Sequence, residues 1–387
     1  VTGTLADRGM FSARAAGLTG GKLAGLLRLG FAEKAVDLAV GTPGFPDTPV
    51  SMVDQACNAM RMGRNQYLDP SGDLVMRTRI ARSLPAAADP ESEITITVGG
   101  TEALCVALLS LVDPGDEVVV FEPFFENFLG AITMAGGIPK FVRLRPPGWS
   151  YDSAELRAAF GPRTRVVLTN TPSNPTGKML QAREWAEIAE LCQRWDVTVV
   201  SDEVYSSFAF DGRPHVSAAD VPGLRDRNVV IGSLSKSHAV SGWRLGYLRA
   251  DATRTQVFRR VHEITTNGTA APLQIAAAQA GLFTGNRWNP AGTLAARRDA
   301  VQSIFTRLGL DCVPAQGGCF FLAGISAVTR DDCETYVHRL LRESGVLLVP
   351  GCSFFADEAD GRQFVRIAFN RSLETVQAAE RKLLGSS

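Results

Sequence analysis

From about residue 94 the chain alternates short apolar runs with stretches of helical period. EITITV is followed by TEALCVALLSLV, and DEVVVF by FFENFLGAITMAG; then come IPKFVRL, TRVVLTN, AREWAEIAELCQRW, VTVVSD, RNVVIGSL and GWRLGYLRA. The runs are β-branched and continuous, and Gly, Asp or Asn bounds them. A strand with one wet face would alternate with period two. Continuous runs predict strands covered by helices on both faces, hence a largely parallel sheet. Residues from about 251 to 308 predict one long amphipathic helical region. Beyond it, short strand-like pieces (GCFFLAG, GVLLVPG, FVRIAFN) mix with helices such as CETYVHRLLRESG. The pattern predicts an α/β fold: a large domain with a mostly parallel sheet flanked by helices, plus a smaller α+β domain.

Length and composition refine this picture. At 387 residues the chain exceeds one ordinary core. The expected division is an N-terminal arm over 1–40 packing on the small domain, a large ligand-binding domain over 41–285, and the small domain over 286–387. Forty basic residues balance forty acidic ones, so no net field favours nucleic acid or an anionic membrane. No apolar run approaches the roughly 20 residues that span a bilayer, and the N-terminal stretch shows no apolar core of a secretory signal. Seven cysteines without a CxxC pair predict reduced, mostly buried thiols in a cytoplasmic protein. Four histidines, none in HExxH spacing, give no reason to expect a metal.

Ligands of such sheets gather at the carboxyl ends of the strands, where five segments stand out. In VGGTEAL (98–104), two glycines permit a tight turn into a helix whose first N–H groups suit a phosphate. In EPFFENF (122–128), one of the two adjacent phenylalanines is placed to stack on a flat ring. TNTPSNPTG (169–177) offers the amides of Asn170 and Asn174 on a proline-stiffened loop. In VVSDEVYSSF (199–208), Asp202 ends a buried run and needs a cationic partner, with Tyr205 three residues on. SLSKSHAVSGWRLGY (233–247) sets Lys236, one of only six lysines, among Ser233, Ser235 and Arg244. Serine donors and a guanidinium fork suit a phosphate, and a buried lysine beside a cation favours its nucleophilic amine form. Together the five describe one ligand with a flat protonated ring, a phenolic oxygen, a phosphate and an aldehyde: pyridoxal 5′-phosphate.

On these motifs, with GFPD at 44–47, the chain resembles the class I/II (aspartate aminotransferase-like, fold type I) pyridoxal-phosphate enzymes, from about Gly41 to Arg366. It looks closest to the kynurenine/glutamine-transaminase-like branch. The resemblance implies that Lys236 forms the Schiff base and then shuttles the proton as general acid and base. It implies that Asp202 keeps the ring nitrogen protonated, that Tyr205 and Asn174 bond the 3′ oxygen, and that Phe125 stacks on the ring. Gly100, Thr101, Ser233 and Arg244 would hold the phosphate. Tyr67 in NQYLDPSG would reach the phosphate of a neighbouring subunit, so a homodimer is implied. Arg366 in FVRIAFN would clamp the substrate carboxylate, and Gly41 or Gly44 would close over it.

The resemblance implies an aminotransferase moving an amino group between an L-amino acid and a 2-oxo acid. An elimination, replacement or cyclising enzyme with the same residues stays open at this point. With about forty residues ahead of Gly41 and no net charge, a DNA-binding regulator built on this domain is not expected. The aromatic setting of Phe45, Tyr67, Phe124 and Phe125 leans towards uncharged substrates, and no second arginine is assignable to an acidic side chain. His215 and His238 are expected to make local hydrogen bonds.

Overall fold

The computed structural model describes residues 10–18, 22–281, 283 and 289–385. Its first strand, β1 (Val36–Asp37), has two residues. The next seven form the large sheet: β2 (Ile94–Val98), β3 (Glu117–Glu122), β4 (Ile138–Arg143), β5 (Thr164–Asn170), β6 (Thr198–Asp202), β7 (Asn228–Ser233) and β8 (Leu245–Arg249). Their spatial order is β2-β8-β7-β6-β5-β3-β4. The pairings from β4 through β3, β5 and β6 to β7 are parallel, whereas β8 runs antiparallel to both β2 and β7.

The apolar runs are continuous because both faces are buried. Val119, Val167, Val199 and Val230 enter one core. Their neighbours Val118, Val120, Val166, Leu168, Val200, Val229 and Ile231 enter a second core on the opposite face. Each such side chain contributes about 1.5–3 kcal/mol when fully buried, so the sheet is a rigid base for its loops. Helices Gly99–Leu111 and Asn127–Ala135 cover the second face, while Ala182–Trp195 covers the first with Trp185, Ile188 and Leu191. That last helix starts at a reciprocal capping box between Gln181 and Glu184.

Two expectations need correction. The run IPKFVRL is not buried on both faces: β4 is the sheet edge and leaves Ile138 46% and Phe141 37% exposed. The helical region is not continuous either. It consists of Ala252–Thr266, Ala271–Gln279 and Ala291–Arg307. The first break falls where Asn267 and Gly268 take positive φ (53° and 101°) and Pro272 begins the next helix.

After these helices come β9 (Asp311–Cys312), β10 (Phe320–Gly324), β11 (Val346–Leu347), β12 (Val349–Pro350) and β13 (Phe364–Ala368). A small antiparallel sheet has the order β12-β13-β10-β9. β11 instead pairs with β1, Val36 opposite Val346, which ties the N-terminal segment to the small sheet. The N-terminal segment also reaches beyond it, since Leu27 lines the cavity at the end of the large sheet. No described helix is long and apolar enough to cross a membrane.

Candidate active site

A cavity of about 300 Å³ lies at the carboxyl ends of the parallel strands, closed on one side by Phe320 of β10 and Arg366 of β13. Residues at or just past the ends of β2, β3, β5, β6 and β7 line it. β8 runs the other way, so its beginning faces the cavity, which is why Arg244 sits just before it.

Lys236 belongs to a four-residue helix, Leu234–Ser237, capped by Ser233, whose Oγ accepts from the Ser235 N–H at 3.1 Å. Its Nζ donates to the Gly41 carbonyl at 2.8 Å. Burial holds the ammonium pKa below its ordinary 10.5; Cys319 opposes this, while Arg366, Arg244 and Arg371 add to it. The amine form is thereby favoured. Asp202 ends β6 and accepts from the Val204 N–H at 3.2 Å. Burial raises its pKa to about 7. The carboxylate therefore lies where a cationic ring nitrogen would repay its desolvation.

Asn170 receives the Asn174 N–H on its Oδ1 at 2.6 Å and donates to the Asp202 carbonyl at 2.9 Å, linking two strand ends. Asn174 Oδ1 then accepts from Arg366 Nη1 at 2.9 Å. Arg366 is 3% exposed, donates from Nη2 to the Ala39 carbonyl at 2.8 Å, and leaves Nε without a hydrogen-bond partner. The rings of Phe320 and Phe354 flank its guanidinium at 4.2 and 4.7 Å. Burial lowers its pKa to about 10, so it stays a cation at neutral pH.

Tyr205 is buried beside Phe320, with ring centroids 6.1 Å apart; burial pushes its phenol well above the ordinary value. The two adjacent phenylalanines of EPFFENF separate clearly. Phe124 is buried and stacks on Phe141 of the edge strand, while Phe125 lines the cavity, its ring set edge-on against Phe128 at 5.6 Å. Gly100, Thr101, Ser233, Ser235 and Arg244 converge at the start of the helix Gly99–Leu111. A Cβ on Gly99 (φ +73°) would run into the Arg244 guanidinium, so only glycine leaves this cradle open.

Gly41 and Gly44 differ in position. Gly41 lines the cavity, and a Cβ there would lie 2.9 Å from Phe320 Cζ and 3.5 Å from Lys236 Nζ. Gly44 packs on Arg371 instead, its N–H bonded to the Asn370 carbonyl at 2.9 Å. Tyr67 is also away from the cavity, 85% exposed at a separate groove with Arg64, Asp73 and Ile275. Phe45, expected in the aromatic setting, is not in the cavity wall and lies against Arg297, whereas Lys236, Asp202, Tyr205, Asn174, Arg366 and the remaining cofactor candidates line it. His215 contacts Glu203 at 2.9 Å and His238 contacts Ser237 at 2.8 Å.

Sequence reasoning missed Glu126, Ser241, Phe320 and Leu27 in the cavity wall. Glu126, a charge inside an aromatic loop, was the one visible signal. Its Oε2 is buried without a hydrogen-bond partner, and burial raises its pKa against the pull of Arg366. Phe320 reaches the site only through the pairing of β10 with β13.

A family model, aminotransferase class I and II, matches residues 33–383. The chain is 32% identical over 361 residues to methionine aminotransferase of Escherichia coli, covering 91% of this chain and 92% of that protein. It is 31% identical over 399 residues to kynurenine–oxoglutarate transaminase 1 of Rattus norvegicus, covering 92% and 94%. The structure of N-succinyldiaminopimelate aminotransferase from Mycobacterium tuberculosis superposes with a TM-score of 0.91 at 33% identity, covering 96% of this chain and 99% of that one. The chain belongs to the class I and II aminotransferases. Family and site together make it a pyridoxal-phosphate-dependent aminotransferase, and the elimination or cyclisation alternative gains no support from these relatives. The residues present fit the cofactor: a desolvated carboxylate for the ring nitrogen, a glycine-opened cradle for the phosphate, and a lysine whose ammonium form burial disfavours.

Proposed function

We propose that this aminotransferase takes the amino group from an L-amino acid with a large uncharged side chain and passes it to a 2-oxo acid, with Lys236 as the base. The observation that carries the reading is the placement of Lys236 Nζ, Asp202 and Arg366 around one cavity. When bound, pyridoxal phosphate supplies an aldehyde for the amino group and a protonated ring that accepts the electron pair left at the substrate Cα. Asp202 keeps that ring protonated by offering its buried carboxylate. Ser233, Ser235, Thr101 and Arg244 hold the phosphate, while Phe125 covers one face of the ring. Tyr205 and Asn174 donate to its 3′ oxygen. Arg366 fixes the substrate carboxylate by two parallel bonds, turning the Cα–H towards Lys236. The amine of Lys236 would take that proton from Cα and give it back on the other side of the substrate nitrogen, at the carbon the cofactor supplies.

The side-chain preference follows from charge. The cations lining the cavity are Lys236, Arg244 and Arg366, each already committed, and Glu126 adds a carboxyl that repels an acidic substrate arm. Apolar wall residues Leu27, Leu104 and Phe320 suit side chains such as those of methionine and kynurenine, which two relatives carry in their names. Exposed Tyr67 shares its groove with exposed Val75, and Met60, Met62 and Leu74, close to them in sequence, are exposed too, which suits a face between two copies of the chain. In such a homodimer, Tyr67 would complete the neighbour's phosphate site. Seven unpaired cysteines fit a reducing compartment, the cytoplasm.

The test is a half-reaction. Cofactor-loaded protein given methionine without an acceptor should lose its visible absorption band and release one equivalent of the matching 2-oxo acid. Ammonia in place of bound aminated cofactor would refute transamination. Faster reaction with aspartate than with methionine would refute the side-chain preference.

A further inference from the structure

The segment from residue 37 to 42 crosses the mouth of the cavity; only Asp37, in β1, belongs to a strand. Its backbone carbonyls therefore need partners from elsewhere. The Leu38 carbonyl accepts from the Ala368 N–H at 2.8 Å, and the other five accept from three basic side chains. The Ala39 carbonyl accepts from Arg366 and the Gly41 carbonyl from Lys236, both 2.8 Å away. The carbonyls of Asp37, Val40 and Thr42 all accept from one residue, Arg371: Nε to Asp37 at 2.5 Å, Nη2 to Val40, and Nη1 to Thr42 at 3.2 Å.

Arg371 does not line the cavity, yet it is only 3% exposed. It stands three residues past the end of β13, the strand that carries Arg366. Its Nη1 also donates to Asn370 Oδ1 at 2.7 Å, and its Nη2 lies 3.3 Å from Asp37 Oδ1. That carboxylate accepts in turn from the N–H groups of Ala39 at 2.7 Å and Val40 at 3.0 Å. Asn370 holds the far end of the segment, its carbonyl accepting from the Gly44 and Phe45 N–H groups at 2.9 and 3.2 Å.

From this arrangement we propose that Arg371 is a positioning residue: it fixes the segment 37–42 across the cavity mouth and so places Gly41 beside the cavity and the Ala39 carbonyl where it orients Arg366 for the substrate carboxylate. The role rests on the aminotransferase reading, in which Arg366 is the carboxylate clamp. A guanidinium suits it because three carbonyls spread along a bent segment match a planar fork, whereas a lysine ammonium is one point at the end of a flexible stem. Burying this cation is costly, and its full set of acceptors is what offsets the cost.

The experiment compares cofactor-loaded wild type with Arg371→Met and Arg371→Lys. The probe is 3-phenylpropanoate, which offers a carboxylate but has no amino group to react; its Kd is read from the visible band, alongside KM and kcat for one amino donor. Cofactor content should be unchanged. Losing several charge-assisted bonds should raise Kd and KM by about tenfold or more in Arg371→Met, with a several-fold smaller change in kcat. Arg371→Lys should fall between wild type and Arg371→Met. If Arg371→Met does not fold, Arg371→Lys decides alone, with about a threefold rise expected. Folded variants that bind probe and donor like wild type, or that lose kcat at unchanged KM, would overturn the proposal. Arg366→Leu run in parallel separates the two claims. If it loses probe binding while the Arg371 variants keep it, only the positioning role fails. If it too binds normally, the carboxylate-clamp reading fails and takes the positioning role with it.

Discussion

Asp202 gives a prediction that couples stability to cofactor binding. Its carboxyl is 8% exposed, and burial raises its pKa from the ordinary 3.8 to about 7. A carboxyl whose folded pKa lies above its unfolded one opposes folding once the unfolded chain ionises. The penalty is absent well below pH 3.8, grows as pH rises, and is complete above about 7. At about 1.4 kcal/mol per pKa unit the full penalty is about 4 kcal/mol, and about half of it is in place near pH 5. Asp202→Asn keeps the shape and an acceptor for the Val204 N–H but removes the charge. In cofactor-stripped protein the variant should therefore be more stable than wild type, and its advantage should widen by about 2–3 kcal/mol between about pH 5 and pH 8. Urea unfolding at the two pH values measures this. Adding pyridoxal phosphate should reverse the order, because the protonated ring nitrogen now meets the charge only in wild type. An advantage that does not grow with pH, or a wild type already more stable without cofactor near pH 8, would refute the reasoning.

Arg366→Leu removes the fork and leaves the Ala39 carbonyl and Asn174 Oδ1 without their donors. Two charge-assisted bonds at about 1.5–3 kcal/mol each predict a loss of about 10²–10⁴-fold in kcat/KM for amino donor and 2-oxo acid alike, read by steady-state kinetics. An effect confined to one of the two substrates would contradict a shared carboxylate site. Tyr67→Phe should weaken cofactor affinity severalfold without altering the association state, which equilibrium dialysis and sedimentation together measure. A monomeric, fully active wild type would remove the basis for a shared site.

The parts legible in the sequence were those with a local cause. Runs such as DEVVVF and RNVVIGSL showed continuous β-branched residues because successive side chains enter two different cores. Lys236, Asp202, Asn174 and Arg244 could be singled out because strand ends on such a sheet share one edge. What stayed hidden depends on contacts distant in sequence. IPKFVRL looks like its neighbours, and only the strand order makes β4 an edge. VGTPGFPD offered two glycines, and only the distances to Phe320 and Lys236 set Gly41 apart as the one beside the cavity. Arg371 carries no motif at all: its meaning lies in carbonyls more than three hundred residues earlier in the chain.

The central claim is that the ε-nitrogen of Lys236 carries the cofactor. Borohydride reduction of freshly loaded protein, followed by proteolysis and mass mapping, tests it directly. The account predicts one reduced pyridoxyl adduct, on the peptide containing SLSKSHAV. An adduct at Lys178 or any other lysine, or none on protein that shows the visible band, would contradict it.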